Sequence, residues 1–332
     1  PPMKLSFSAL CALSLAALSS QALAAPPSAQ GTARFLVLDA QDAPLMGTTV
    51  SGVCEANLGS FWNRETLVSR WSCTTDADGV CTAPVTTLAQ PDGKPAPCRG
   101  SEPSTITEKG ASPARSSYHA FFPKGVATSY TLLKKGSSWK HGEYEFRSIA
   151  NEEAFQSLAH RFRVGLYAQR MQSAPTPDGK GTVWSTEGAH YQEGKDFPNL
   201  TYLTAQREVA GGPVTVRVVS HLSYIDFAYH RYTSAVFDNK AGASSSVRLQ
   251  PLTEKVVCNM RDLLERKCTH HEAVEFVLDP ALALQLAQSY QDGARTQWSL
   301  RLTSAAGHER RIPIAHAEFA ALFAAAQSGA QR

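Results

Sequence analysis

The sequence predicts a mainly β protein with two consecutive domains, a β-sandwich followed by an α+β domain with an antiparallel sheet. Short runs rich in β-branched and aromatic residues recur along the chain and are separated by clusters of Gly, Pro, Asn and Asp. Two amphipathic helical patterns fall near the C-terminus, at residues 281–290 and 315–327. The chain has 332 residues and is 43% hydrophobic, which is enough for two separate cores.

The N-terminus is typical of a secretory signal peptide. Lys4 precedes an apolar run over residues 5–18, and the tripeptide Ala-Leu-Ala follows at 22–24. The apolar run is shorter than the roughly 20 residues that a membrane-spanning helix needs. A buried N-terminal helix is the alternative interpretation. We expect cleavage after Ala24, a short leader at 25–31, and a periplasmic or secreted protein without a transmembrane anchor.

The cysteines predict a disulfide framework, because an even number in an exported chain is usually paired. Apart from Cys11 in the signal peptide, they are Cys54, Cys73, Cys81, Cys98, Cys258 and Cys268. The last two are expected to pair, since neither has another near neighbour. Cys73 and Cys81 flank a predicted hairpin turn and could bridge it, which leaves Cys54 for Cys98. A zinc site is the alternative, but the chain lacks the Cys-x-x-Cys spacing that such sites favour.

The first domain is predicted to span residues 32–172 and to contain long loops. A helix over 152–161 follows Asn151, which is a favourable N-cap residue. The predicted strands occupy residues 35–38, 47–54, 63–73, 80–85, 118–122, 129–133 and 143–149.

Two segments of this domain resemble a known class of β-sandwich. FLVLDAQDAPLMGTTV at 35–50 and TTDADGVCTAPV at 74–85 are similar to prealbumin-like, carboxypeptidase-regulatory or bacterial Ig-like modules. The resemblance covers residues 32–100, implies the sandwich fold and carries no activity. Asp76 and Asp78 do not form a calcium-binding EF-hand loop, since Gly79 is at the fourth position instead of the sixth. A hairpin turn explains the Asp-Gly pair.

Residues 173–196 are rich in Pro and Gly and are predicted to be an interdomain linker or an inserted loop. The second domain, residues 197–332, is expected to hold an antiparallel sheet covered by two helices. Asp279 and Pro280 form a typical start for the first of these helices. The predicted strands are 200–209, 214–219, 222–227, 247–257, 268–278, 297–303 and 310–314, of which the second and third could form one strand.

This second domain is similar to uncharacterised exported proteobacterial proteins. The similarity rests on SYIDFAYHRYTSA at 223–235, on two cysteines that are separated by nine residues and precede a glutamate, and on WSLRL at 298–302 before an Ala-rich helix. It implies the same layout and no activity.

One local cluster, residues 268–272, has metal-ligand chemistry. His270 and Glu272 share one face of the predicted strand, whereas His271 points to the other. His221 and His230 are the candidates to join them from a neighbouring strand, because catalytic zinc takes three convergent protein ligands. The alternative is a polar strand edge beside a disulfide.

Three tyrosines, Tyr224, Tyr229 and Tyr232, are candidate ligand-binding residues. Aromatic rings stack on sugar faces and bury large areas, so the run could bind a carbohydrate or a peptide. The alternative is that these rings fill the core and its rim.

Several functional classes are disfavoured. The net charge is only +3, from 32 basic and 29 acidic residues without a basic stripe, so a nucleic-acid partner is not expected. There is no G-x-S-x-G motif for a serine hydrolase of the α/β type. No cofactor is expected.

The sequence therefore predicts an exported cell-envelope protein that is a non-enzymatic binding or structural module. Its partner would be an envelope protein or a glycan. The alternative is a metal-dependent hydrolase acting on envelope material.

Overall fold

The computed structural model describes residues 27–328, except 61–62, 100–103, 116–119, 123–125, 137–143, 192–199, 209–211, 240 and 266. The predicted signal peptide and its cleavage site lie outside the described residues.

The first half of the chain forms two sheets, and the predicted strands at 35–38, 47–54, 63–73 and 80–85 overlap its first four strands. The strands are β1 Ser28–Leu38, β2 Thr49–Ser60, β3 Asn63–Thr74, β4 Val80–Leu88, β5 Cys98–Arg99, β6 Thr105–Thr107, β7 Ala114–Arg115, β8 Ala120–Phe122, β9 Thr128–Lys135 and β10 Tyr144–Ile149. One sheet has the order β10-β9-β1-β4, and the second has the order β7-β6-β2-β5-β8, with β3 also paired to β2.

These two sheets pack face to face, as in a β-sandwich. β1 alternates so that Phe35 and its neighbours on the same face enter a core shared with the second sheet. The Phe35 ring stacks on Trp71 of β3, with 5.1 Å between the ring centroids. Leu36 faces the opposite way and packs against helix α1, Glu152–Ala159, which Asn151 caps through its side chain as predicted. Burial of the end of β1 on both faces explains the continuous apolar run at residues 35–38.

The second half forms two further antiparallel sheets with helices on them. Their orders are β11-β12-β13-β14-β18-β17 and β16-β15-β19-β20. The elements are α2 Val164–Arg170, β11 Gln172–Pro175, β12 Thr182–Ser185, a 3-10 turn Glu187–Ala189, β13 Leu200–Arg207, β14 Thr215–Asp226, β15 Tyr232–Asp238, β16 Ser244–Arg248, β17 Gln250–Val257, α3 Met260–Glu265, β18 Cys268–Val277, α4 Pro280–Gln288, β19 Gln297–Ser304, β20 Glu309–Ala315 and α5 His316–Ser328.

One core joins these sheets to α4 and α5. Phe237 of β15 stacks on Phe276 of β18 with 5.8 Å between the ring centroids, and Trp298 packs edge-on against both Phe237 and Phe319. The side chain of Asp279 accepts a hydrogen bond from the Leu282 amide and caps α4. The mainly β fold class, with an α+β second half, is confirmed.

The described part of the predicted linker or inserted loop, residues 173–191, contains regular secondary structure. Most of β11 and all of β12 lie within it and extend the sheet beside β13, and the 3-10 turn follows. Trp184 is buried in the core of the second half, so the run around it folds as a strand despite its Pro- and Gly-rich flanks. The division into two domains at this segment stays a prediction.

The two halves are in contact beside the predicted Asp-Gly turn. The Arg295 guanidinium lies 3.9 Å from the Asp78 carboxylate and donates a hydrogen bond to the Pro44 carbonyl at 3.1 Å. Among the described residues, no helix is long and apolar enough to cross a bilayer.

The predicted disulfides are formed: Cys54–Cys98 joins β2 to β5, Cys73–Cys81 joins β3 to β4, and Cys258–Cys268 brackets α3. Disulfides are typical of proteins in oxidising compartments.

Candidate functional site

The most connected polar cluster lies where the chain passes from one sheet of the second half to the other. β14 ends at Asp226, and the chain turns back and enters β15 of the next sheet at Tyr232. The turn places Arg231 at a φ of 53°, a left-handed conformation that is uncommon for residues other than glycine. We call this group the sheet-junction cluster; it consists of Tyr224, Asp226, His230, Tyr232, His270, Glu272 and His308.

Glu272 holds the turn. Its carboxylate is 4% exposed and accepts hydrogen bonds from the amides of Arg231 at 3.0 Å and Tyr232 at 3.2 Å. The Tyr224 hydroxyl donates to the same carboxylate, and burial together with this bond raises the pKa of Tyr224. The predicted metal ligand Glu272 is therefore occupied by three donors of the protein itself.

His230 is the centre of the cluster. Its ring lies between those of Tyr224 and His308, with centroid separations of 3.7 and 3.6 Å and nearly parallel planes. Its Nε2 lies 2.8 Å from Asp226 Oδ2, and its Nδ1 lies 3.2 Å from the Tyr232 hydroxyl. The hydrogen bond from His230 lowers the pKa of Asp226.

Asp226, His230 and His308 form a possible ligand set for a metal ion. Each offers one nitrogen or oxygen atom, and these atoms all lie within 4.8 Å of one another. His308 comes from the turn between β19 and β20, far along the chain. The residues around His308 do not indicate this role, because only the pairing of β15 with β19 brings that turn to the cluster.

His270 is buried beside these residues, and its Nε2 atom contacts the backbone of Asp226. His270 Nε2 lies 3.0 Å from the backbone oxygen of Asp226, and the Tyr229 ring packs edge-on at 4.6 Å between ring centroids. His270 therefore fixes the end of β14 and is not one of the three convergent groups.

His221 lies on the opposite face of the sheet. Tyr224 is directly across from His270 and Leu222 from Glu272, so these side chains share one face. His221 neighbours Leu222 along the strand and therefore points the other way, where its ring stacks on Tyr202 with 5.9 Å between centroids. Burial lowers the pKa of His221. The predicted grouping of His221 with His270, Glu272 and His230 is not formed.

The tyrosine hydroxyls are largely used within the protein. The Tyr224 hydroxyl donates a hydrogen bond to Glu272 and accepts one from the His230 amide at 2.7 Å. Tyr232 is buried, and its hydroxyl lies within hydrogen-bond distance of His230 Nδ1. Tyr229 is half-buried against His270. Ligand binding by these three rings stays a prediction.

A second feature is the outer strand β17. It ends the order of its sheet in the part of the chain that the structure describes, and each of its eight residues is exposed. Exposed apolar side chains gather at its C-terminal end and at the adjoining ends of β14 and α3. We call this group the apolar tip; it consists of Ile225, Phe227, Val256, Val257, Met260 and Leu264.

The Cys258–Cys268 bridge lies within the apolar tip. It closes the short α3 segment with 4.7 Å between the two Cα atoms, as expected for a hairpin-like connection. Val257 is directly across from Thr269, which is directly across from Ile225, so the two apolar side chains are on one face and in one row. The bridge fixes this row, because it joins the ends of β17 and β18.

A cleft of about 220 Å³ borders β17 on the other face. Its lining includes Arg231, Arg248, Glu254 and Glu272. It therefore offers charged groups of both signs to anything that lies along the strand.

Comparisons with known proteins assign no family. No family model matches the chain, and no curated protein matches it. A search of solved structures found BcpA, the major pilin subunit of Bacillus cereus, in a variant form. The identity is 9%, the match covers 86% of this chain and 67% of the pilin chain, and the TM-score is 0.16. A likeness of this degree assigns no function.

Proposed function

We propose that the protein is an exported, disulfide-stabilised envelope module, non-enzymatic, that binds an extended segment of a partner protein along β17. The observation that carries this proposal is the eight-residue outer strand, which is exposed throughout its length. Two features of the protein support export: the three disulfides between described residues and the N-terminal signal pattern.

An outer strand carries backbone N–H and C=O groups that its own sheet leaves unpaired, and natural proteins usually protect such edges. β17 has Pro251 near its start and a charged pair, Glu254 and Lys255, in its middle. The end of the strand is apolar, and Val256 is 46% and Val257 41% exposed. That combination suits the addition of a strand, in which main-chain hydrogen bonds give affinity and pockets for alternate side chains give specificity.

Both faces of β17 offer contacts to an added strand. On one face lie Val257 and Ile225 in a single row, and on the other the cleft carries Arg231 and Arg248. A partner segment with apolar residues on one face and a carboxylate on the other would match this arrangement.

The second candidate function, a metal-dependent hydrolase acting on envelope material, is favoured by one observation. Asp226, His230 and His308 supply three ligand atoms that lie close together, as catalytic zinc sites require. Glu272 would not be the general base, because its oxygens already accept three hydrogen bonds.

Site-specific photocrosslinking in intact cells tests the strand-addition proposal. A photoreactive amino acid is placed in turn at each of positions 254–257, and the crosslinked peptides are sequenced by mass spectrometry. Strand addition predicts one partner segment, with successive crosslinker positions mapping to successive residues along it. The matched control is position 277 at the far end of β18, where Val277 is 51% exposed and should give no crosslink to that segment.

Three outcomes would overturn the proposal. Crosslinks only to a second copy of this chain would replace the partner by self-association. Crosslinks scattered over unrelated proteins, or unchanged in a Val256→Lys and Val257→Lys double variant, would show that β17 is not a specific docking edge.

A further inference from the structure

We infer that the sheet-junction cluster binds one divalent transition-metal ion of the zinc type through Asp226, His230 and His308. This site is independent of partner binding along β17. Its three ligands come from the end of β14, from the following turn and from the β19–β20 hairpin.

The ligand atoms are close enough to share an ion. They all lie within 4.8 Å of one another, and His230 Nε2 and Asp226 Oδ2 are only 2.8 Å apart. Zinc is held at about 2.0–2.2 Å by imidazole nitrogen and carboxylate oxygen. Ligand atoms around one such ion must then be separated by about 3–4 Å, so His230 Nε2 and Asp226 Oδ2 need to move only slightly apart to share it.

The nitrogen of His230 that faces away from the proposed ion is already oriented. Its Nδ1 lies 3.2 Å from the Tyr232 hydroxyl, which can accept or donate a hydrogen bond. A metal-binding histidine normally donates its other ring N–H to such a partner, which fixes the tautomer and the ring plane. Tyr232 is buried, so this support is held by the core.

Asp226 and the turn are likewise fixed by neighbours that do not bind the ion. The backbone oxygen of Asp226 contacts His270 Nε2 at 3.0 Å, and Glu272 holds the amides of Arg231 and Tyr232. His270 and Glu272 are 5% and 4% exposed, so their positions are set by packing. Asp226 and His230 are thus held by rigid, buried neighbours, which a selective metal site requires.

The donor set selects the class of metal. Two imidazoles and one carboxylate suit Zn²⁺ and neighbouring transition metals, whereas Mg²⁺ and Ca²⁺ prefer oxygen ligands alone. Three protein ligands leave one tetrahedral position for water or a ligand from solution. The rings of His230 and His308 are stacked at 3.6 Å, and they must open from this parallel arrangement for both nitrogens to point at one ion.

The alternative explanation is a stack of aromatic rings with a His–Asp hydrogen bond and no affinity for metal. Zinc titration of the untagged mature protein, followed by isothermal calorimetry and elemental analysis after dialysis, separates the two. We expect one Zn²⁺ per chain, with Mg²⁺ failing to compete. His308→Asn and Asp226→Asn should each weaken zinc binding at least 10-fold, whereas His221→Asn, on the opposite face, should leave it unchanged.

Folding is checked separately, so that a lost site is not confused with a lost fold. His308 is half-buried at the end of an exposed turn, so His308→Asn should keep the circular dichroism spectrum and melting temperature of the unmodified chain. Nitrogen-15 spectra of the histidines give an independent readout, in which zinc should shift Nε2 of His230. Zinc bound equally well by His308→Asn and Asp226→Asn, or no binding by the unmodified chain, would overturn the inference.

Discussion

Replacing Glu272 by alanine should destabilise the second half of the protein strongly. The carboxylate accepts hydrogen bonds from the Arg231 and Tyr232 amides and from the Tyr224 hydroxyl, and it is 4% exposed. Alanine leaves all three donors without their acceptor. It also removes the support for the positive φ of Arg231.

The magnitude follows from the three donors. A buried donor left without a partner costs about 1–3 kcal/mol. Arg231 is exposed, so water can reach its amide and lower the cost for that donor. We expect a loss of about 3–5 kcal/mol, among the larger effects of single substitutions. For a unit of this size each kcal/mol lowers the melting temperature by about 2–4 °C, so the expected shift is roughly 6–20 °C.

Urea unfolding and thermal scans of the disulfide-intact protein measure this loss, with Glu254→Ala as the control. Glu254 is directly across from Glu272 on β17 but is exposed, so its removal should change stability by no more than about 0.5 kcal/mol. Amide exchange at positions 231 and 232 should accelerate only in Glu272→Ala. A loss below about 1 kcal/mol would refute the structural role of Glu272.

Three further predictions concern other parts of the chain. Burial alone would lower the pKa of His190, but its hydrogen bond to the Glu318 carboxylate raises it above 6.5. That pair stabilises the fold below about pH 6.5 and the effect is lost as pH rises through the raised pKa, so urea titrations should find His190→Gln most destabilised near pH 5.5 and least near pH 9. The double variant Cys258→Ser and Cys268→Ser should lose about 2–3 kcal/mol, measured by thermal unfolding, because the bridge closes a short loop. Mass spectrometry of the exported protein should find Ala25 as the first residue, and a retained Lys4 would contradict a cleaved signal.

Local spacing was sufficient to predict the disulfides. Cys73 and Cys81 flank an Asp-Gly hairpin, and Cys258 and Cys268 flank a nine-residue segment, so proximity in the chain settled both pairs. The α1 cap at Asn151 was equally local. Features of this kind depend on a few neighbouring residues and can be read from them.

Contacts between distant strands could not be read in this way. Trp184 sits in a Pro- and Gly-rich stretch, and only pairing with β13 makes its neighbourhood a strand. His308 reaches His230 through the pairing of β15 with β19, which sequence alone does not fix. His221 lies on the face of β14 opposite His270 and Glu272, because the register between two strands decides which side chains share a face, and alternation within one strand does not fix that register.

Amide hydrogen exchange along β17 tests the proposed function most directly. The protein is measured alone and with the partner segment identified by crosslinking, supplied as a synthetic peptide. Strand addition predicts that, within residues 250–257, the amides pointing away from β18 exchange rapidly in the free protein and become protected by the peptide. Protection confined to other strands, or no change along β17 at saturating peptide, would contradict it.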